Sequence, residues 1–133
     1  LEYRDVLGQI ESLFQGYVMM THGSSLIIQE TAALTAIDVN KGSDKRSHLA
    51  ANIDAAKEIA RQMRLRNIGG IIVVDFLKTN KKDQEKLLKA LDDETYGDPC
   101  TVQIHGFTKL GLIEMTRKRR TPSLNKRFDG IAF

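Results

Sequence analysis

Two aspartates each close a short apolar segment of the sequence. Asp38 lies in the segment AIDVN over residues 36–40, which also holds Asn40, and Asp75 ends GGIIVVD over residues 69–75. If the two segments are neighbouring, aligned strands, the carboxylates repel each other unless a cation lies between them. A hard divalent ion such as Mg²⁺ prefers such oxygen ligands, with water and phosphate oxygens completing its octahedron. The pattern therefore predicts a metal site at Asp38 and Asp75.

Each aspartate also has an alternative role, which is to cap a helix or to start a turn. Nucleophilic catalysis has weaker support in the sequence. The triad that could be drawn from Ser43, His48 and Asp38 lacks the strand–turn–helix context of a nucleophilic serine. No histidine has a second histidine or a cysteine at the spacing of a metal site; the three are His22, His48 and His105.

Positive charge is concentrated in two segments, although the net charge is only +3. Residues 41–66 carry seven Lys and Arg against three Asp and Glu, and residues 109–133 carry seven against two. Such segments suit a polyanion, and a solvated charged face is the alternative. No aromatic residue interrupts the run RKRR, so base stacking is not indicated. The candidate phosphate contacts are Lys41, Lys45, Arg46, Arg117, Lys118, Arg119 and Arg120.

The periodicity of apolar residues predicts the elements that position these side chains. Helices are expected over residues 3–14, 49–66 and 81–95. Strands are expected over residues 17–20, 26–28, 34–39, 71–74, 101–104 and 112–115. The order of helices and strands predicts an α/β fold, in which helices pack against a mixed β-sheet.

Burial within three of these elements is also predicted. The unbroken β-branched run IIVV at residues 71–74 is typical of a strand covered on both faces. In the last helix, residues 81–95, Leu87, Leu88 and Leu91 are expected to be buried. The longest helix should bury a stripe made of Leu49, Ile53, Ala56, Ala60 and Met63.

The composition indicates a soluble globular domain. The chain has 133 residues, of which 41% are hydrophobic and 28% are charged. No apolar run approaches the ~20 residues that span a bilayer, so no membrane span is expected. The single cysteine, Cys100, cannot form an internal disulfide, which favours a cytoplasmic location. Because the chain begins at Leu1, we expect it to be part of a longer protein.

Several blocks of the sequence, in order along the chain, resemble the ribonuclease E/G family. They extend over most of the chain and are therefore more specific than a short motif. The blocks are QIES at residues 9–12, ETAAL at 30–34, TAIDVN at 35–40, EIARQMRLR at 58–66, GGIIVVDF at 69–76, GLIEMTRKR at 111–119 and PSL at 122–124.

The resemblance implies a deoxyribonuclease I-like catalytic subdomain over residues 1–124, followed by a C-terminal tail over residues 125–133. It implies Mg²⁺-dependent hydrolysis of single-stranded RNA to 5′-phosphate and 3′-hydroxyl ends, in RNA processing or decay. The family's metal-binding aspartates fall on Asp38 and Asp75, and a neighbouring asparagine falls on Asn40. A homo-oligomer is compatible with the resemblance.

The chain also departs from the family pattern. The loop after Asn40 is shorter, and Lys78 stands in a stretch that usually carries an acid. The zinc-linking cysteines that follow the PSL block in the family are missing, so no zinc link is expected. The alternative function is a non-catalytic RNA-binding or assembly module on the same fold, which would not need Asp38, Asn40 and Asp75 together.

Overall fold

The computed structural model describes residues 16–119. The helix predicted over residues 3–14 and the predicted tail over residues 125–133 lie outside this range. The elements, in chain order, are β1 (Tyr17–Met19), β2 (Ser25–Glu30), β3 (Thr35–Asn40), α1 (His48–Leu65), β4 (Gly70–Asp75), α2 (Lys81–Thr95), β5 (Thr101–Phe107) and β6 (Ile113–Lys118).

The strands form one mixed sheet in the order β1-β2-β3-β4-β6-β5. β3 and β4 are parallel, and each of the other neighbouring pairs is antiparallel. Parallel strands need a crossover, which α1 supplies between β3 and β4. The prediction of an α/β fold with a mixed sheet is confirmed, while the deoxyribonuclease I-like label and the boundary at residue 124 stay predictions.

Both helices pack on one face of the sheet. On this core face, alternate strand residues are buried, because side chains alternate between the two faces of a strand. From the helices, the buried side chains include Ile59 and Met63 of α1 and Leu87 and Leu91 of α2. The strand residues of the same core are Leu26, Ile28, Ile37, Val39, Ile72, Val74, Ile113 and Met115.

The opposite face of the sheet, here called the open face, is not covered by α1 or α2. It carries the alternate residues of the same strands, including Asp38 and Asp75. The prediction that β4 is covered on both faces is therefore wrong for the described residues. Ile72 and Val74 are buried, but Ile71 is 46% exposed and Val73 is only half-buried.

The buried side of α1 also differs from the prediction. Ile53 lies at the surface and Leu49 is only partly buried, while Ala56, Ala60 and Met63 are buried as expected. The buried side of α1 combines four alanines, which allow close approach to the sheet, with the large side chains of Ile59 and Met63. The buried residues of α1 are Ala51, Asn52, Ala55, Ala56, Ile59, Ala60, Gln62 and Met63.

The remaining elements follow the expected order. α2 has the predicted bounds, and it buries Leu87 and Leu91 fully but Leu88 only partly. β5 and β6 are longer than predicted, and their register shifts by one residue between Ile104 and Gly106. No helix among residues 16–119 is long and apolar enough to cross a membrane.

Candidate functional site

Asp38 and Asp75 are direct neighbours across the parallel pair β3–β4. Asp38 pairs with Asp75 in the register of these strands, so both side chains project from the open face. Adjacent strands lie about 4.8 Å apart, a separation over which two carboxylates can hold one ion. Asp38 is exposed and Asp75 is half-exposed, so both carboxylates are accessible to ligands from solvent.

Neither aspartate caps a helix, which is one of the two alternative roles expected for them. Ser47 is the N-cap of α1, and its hydroxyl accepts a hydrogen bond from the backbone N–H of Ala50. Asn80 is the N-cap of α2, and its side chain accepts from the backbone N–H of Asp83. Asp38 and Asp75 are therefore strand residues whose carboxylates cap neither helix.

The surroundings of the pair suit a hard divalent ion. A cavity of about 360 Å³ lies beside the two aspartates on the open face. In the described part of the chain, no group of three or more His, Cys, Asp and Glu side chains converges on one point. Two protein carboxylates leave most of the coordination sphere to water and substrate oxygens, which is the usual arrangement for Mg²⁺. Residues that line the cavity include Ile27, Gln29, Ala36, Val73 and Leu112.

Asn40 extends the same row of side chains on β3. It lies two residues beyond Asp38, and both are exposed on the open face because a strand repeats its orientation every second residue. Its amide can accept or donate a hydrogen bond without adding charge. Asn40 therefore lies at the same end of the open face as the two aspartates.

The loop that follows β3 is held by a compact ion-pair network. Gly42 has φ of +56°, and a Cβ at this position would clash with the backbone oxygen of Gly23 in the neighbouring β1–β2 turn. Arg46 donates two side-chain hydrogen bonds to Asp44, at 3.0 and 2.8 Å, and also pairs with Asp54 of α1. Hydrogen bonds from the Arg46 side chain and backbone hold the pKa of Asp44 far below its usual value.

The same network distinguishes Arg46 from Lys41 and Lys45, the other two candidate phosphate contacts of this loop, by its ion pairs. Lys41 and Lys45 carry no ion pair among the described residues, and both lie just beyond Asp38 in the chain. Arg46 is occupied by two carboxylates, and these pairings raise the pKa of its guanidinium further. Among these three candidates, Lys41 and Lys45 are therefore the ones whose charge is not paired with a carboxylate of the described residues.

Arg117 is not available as a phosphate contact, and this prediction needs correction. It lies within β6, on the core face, and is only 3% exposed. Its guanidinium donates to both carboxylate oxygens of Asp98, at 2.9 and 3.0 Å, and to the backbone oxygen of Ile68 at 2.9 Å. Burial alone would raise the pKa of Asp98, but hydrogen bonds from Arg117 and the Cys100 backbone hold that pKa below its usual value.

Lys118 and Arg119, the other described residues of the basic run, lie far from the aspartates. Arg117 pairs with Gly70, at the opposite end of β4 from Asp75, so about 16 Å of strand separates the two ends. Lys118 is exposed on the open face, and Arg119 donates to the backbone oxygen of Asn67 at 3.0 Å. Arg120 lies outside the described residues. Arg117, Lys118 and Arg119 therefore do not form one basic patch beside Asp38 and Asp75.

Two residues that form hydrogen bonds at the two ends of β4 were not predicted from the sequence. Asn52 is fully buried in α1 and holds the backbone of Leu77, which follows β4. Asp98 is the partner of Arg117. Asn52 could have been found, since it is a polar residue on the helix face that also carries Ala55 and Ile59. Nothing in the local sequence links Asp98 to Arg117.

The chain is similar in sequence to known proteins. A sequence profile described as the Ribonuclease E/G family matches residues 1–120. Ribonuclease E of Haemophilus influenzae is 42% identical over 125 residues, which are 89% of this chain and 13% of that protein. Ribonuclease E of Nostoc sp. is 42% identical over 135 residues, which are 96% of this chain and 20% of that protein.

Ribonuclease G proteins match the same region. That of Salmonella typhimurium is 39% identical over 127 residues, which are 90% of this chain and 26% of the relative. The chain thus spans only about an eighth to a quarter of the length of these relatives. The profile match covers nearly the whole chain, and so the chain belongs to the Ribonuclease E/G family.

Proposed function

We propose that this chain is the catalytic part of an endoribonuclease that hydrolyses single-stranded RNA with Mg²⁺, leaving 5′-phosphate and 3′-hydroxyl ends. The observation that carries the proposal is the direct register pairing of Asp38 with Asp75 on the open face. The names of the relatives, Ribonuclease E and Ribonuclease G, support an endoribonuclease role. Processing or decay of RNA is the corresponding biological role.

Each residue of the site has a distinct task in this proposal. Asp38 and Asp75 hold the metal through carboxylate oxygens, and Asn40 orients a carboxylate or the scissile phosphate through its amide. When bound, Mg²⁺ lowers the pKa of a coordinated water and neutralises negative charge that develops on the phosphate. The exposed position of both carboxylates leaves room for an extended RNA strand.

Hydrolysis is favoured over attack by the ribose 2′-hydroxyl. The latter reaction normally uses a general base and a general acid, most often histidines. In the described residues no histidine lines the cavity beside Asp38 and Asp75. His22 lies 3.4 Å from Asp54, His48 contacts the backbone oxygen of Lys78, and His105 contacts Thr116.

The test is the chemistry of the product ends. A short, 5′-labelled, AU-rich single-stranded RNA is incubated with the chain and Mg²⁺, with Asp38→Asn as the matched control. We expect 3′-hydroxyl products that require Mg²⁺ and disappear in the variant. A 2′,3′-cyclic phosphate that still forms in EDTA would contradict the proposal. RNA binding without cleavage by the chain would favour the non-catalytic module.

RNA binding is proposed to be mainly electrostatic. Lys41 and Lys45 follow β3 at the end of the sheet that carries Asp38 and Asp75, and Lys118 is exposed on the open face near the other end, so positive charge is available at both ends. For a single strand, the slope of log K against log salt changes by about 0.7 for each phosphate that the protein ceases to neutralise. Lys118→Glu should weaken binding of all sequences about equally, while Lys57→Glu, on exposed surface of α1, should change it little. An affinity independent of salt would contradict this proposal.

Two further expectations from the sequence stay proposals. We propose a cytoplasmic location and single-stranded RNA as the partner. Light scattering of the purified chain measures whether it forms a homo-oligomer.

A further inference from the structure

Lys78 places a positive charge beside the two aspartates. Its Nζ lies 3.8 Å from Oδ1 of Asp75 and 3.4 Å from the backbone oxygen of Leu110. The Lys78 side chain is 71% exposed, and the Asp75 side chain is 49% exposed. This is a loose contact, so the ammonium retains donors that can reach a ligand arriving from solvent.

The backbone of this segment is fixed although it is neither helix nor strand. The side-chain amide of Asn52 donates to the backbone oxygen of Leu77 at 2.8 Å and accepts from its N–H at 2.9 Å. His48 Nδ1 donates to the backbone oxygen of Lys78 at 2.8 Å. Asn52 is fully buried, so the first turns of α1 hold the loop that carries Lys78 in place.

The charges of the neighbouring groups determine what the ammonium of Lys78 does at this point. A divalent ion between Asp38 and Asp75 balances the negative charge of the two carboxylates. With the ammonium of Lys78 included, the site then carries one net positive charge. The ammonium repels the metal ion and attracts a phosphate. Because all these groups are partly exposed, the interaction energies are those of a high effective dielectric and correspond to severalfold changes in affinity.

We propose that Lys78 binds the RNA phosphate at the metal site, and that its charge lowers the affinity of the same site for Mg²⁺. The proposal rests on the proposed metal site at Asp38 and Asp75. It assigns Lys78 to substrate binding rather than to an ion pair that serves stability. An exposed pair of this kind contributes little to stability, so its removal should leave the fold intact.

The experiment measures two affinities on the same variants. Mg²⁺ binding is measured by calorimetry without RNA. Binding of a phosphorothioate-linked single-stranded oligoribonucleotide, which resists hydrolysis, is measured at Mg²⁺ concentrations that saturate each variant. The variants are Lys78→Met, which removes the charge, and Lys78→Arg, which retains it. Lys89→Met is the matched control, because Lys89 forms a similar exposed pair with Asp93 at 3.7 Å on α2.

We expect the two affinities of Lys78→Met to move in opposite directions. Mg²⁺ should bind about threefold to tenfold more tightly, and the RNA should bind about threefold to tenfold more weakly. Lys78→Arg should remain within about twofold of the parent chain in both measurements, and so should Lys89→Met. A change in only one affinity, in neither, or in the same direction for both would overturn the proposal. So would an equal change in Lys89→Met.

A further variant separates this inference from the proposed function. If Asp38→Asn loses Mg²⁺ binding while Lys78→Met leaves both affinities unchanged, the metal site stands and only the role of Lys78 is wrong. If Asp38→Asn binds Mg²⁺ as tightly as the parent chain, the metal lies elsewhere. Both proposals then fail.

Discussion

Aspartates and basic residues lie at both ends of β4, but the two groups differ in burial and in pairing. At the carboxyl end, Asp75 lies beside Asp38, exposed, with Lys78 in loose contact. At the amino end, Arg117 and Asp98 are buried and joined by two hydrogen bonds. At the carboxyl end, like charges are close together and exposed to solvent. At the amino end, opposite charges are paired and buried.

This difference separates residues that stabilise the fold from residues available for chemistry. A buried, fully hydrogen-bonded pair is costly to break, because removal of one partner leaves an uncompensated charge. Two exposed carboxylates on adjacent strands gain little from each other and gain most from a cation. Variants at the two ends should therefore affect different properties, namely stability at one end and ligand binding or rate at the other.

The largest expected effect is on stability, at the amino end of β4. Arg117→Met should lower the free energy of unfolding by about 3–5 kcal/mol, because it strands the buried Asp98 carboxylate. Arg61→Met is the control, since Arg61 forms an exposed pair with Glu58 at 2.9 Å and should cost about 1 kcal/mol or less. Urea unfolding measures both. Equal losses for the two variants would contradict the comparison.

The next effect is on rate, at the carboxyl end. Asn40→Ala should reduce the rate of RNA cleavage by about 10–100-fold, as removal of an orienting group beside a metal does. Its melting temperature should stay close to that of the parent chain, because Asn40 is exposed. A control is Gln29→Ala, an exposed residue that lines the same cavity on β2. If the two variants cleave equally well, Asn40 has no role in the site.

The smallest effect is the pH dependence of stability. The pKa of Asp98 is lowered from 3.8 in the folded protein, so its stabilising contribution is complete above about pH 4. That contribution should be lost as the pH falls through the lowered pKa. Asp98→Asn should therefore show a flatter fall of unfolding free energy between about pH 4 and pH 2 than Asp93→Asn. Identical pH profiles for the two variants would show that Asp98 is not the responsible group.

Local patterns were sufficient to predict much of this molecule from its sequence. Apolar periodicity predicts α1, α2 and the strands because each pattern is set by neighbours in the chain. The position of Asp38 and Asp75 at strand ends was also evident. Their adjacency was a hypothesis until the register of β3 and β4 was known, because strand pairing is not a local property.

The errors also have physical causes. Arg117 resembles its neighbours Lys118 and Arg119 in sequence, and only the alternation of β6 turns it toward the core and Asp98. The β-branched run of β4 predicts burial on both faces, whereas the described residues cover only one. The role of Asn52 depends on a loop 25 residues away, which no local pattern encodes.

The most direct test of the central claim locates a divalent ion on the chain. Mn²⁺ replaces Mg²⁺ as a paramagnetic probe, and the broadening of backbone amide signals is recorded by NMR. We predict broadening centred on residues 38–40 and 75–77, abolished by either Asp38→Asn or Asp75→Asn. Broadening centred elsewhere, such as around His22 and Asp54, or unchanged in both variants, would contradict a metal shared by Asp38 and Asp75.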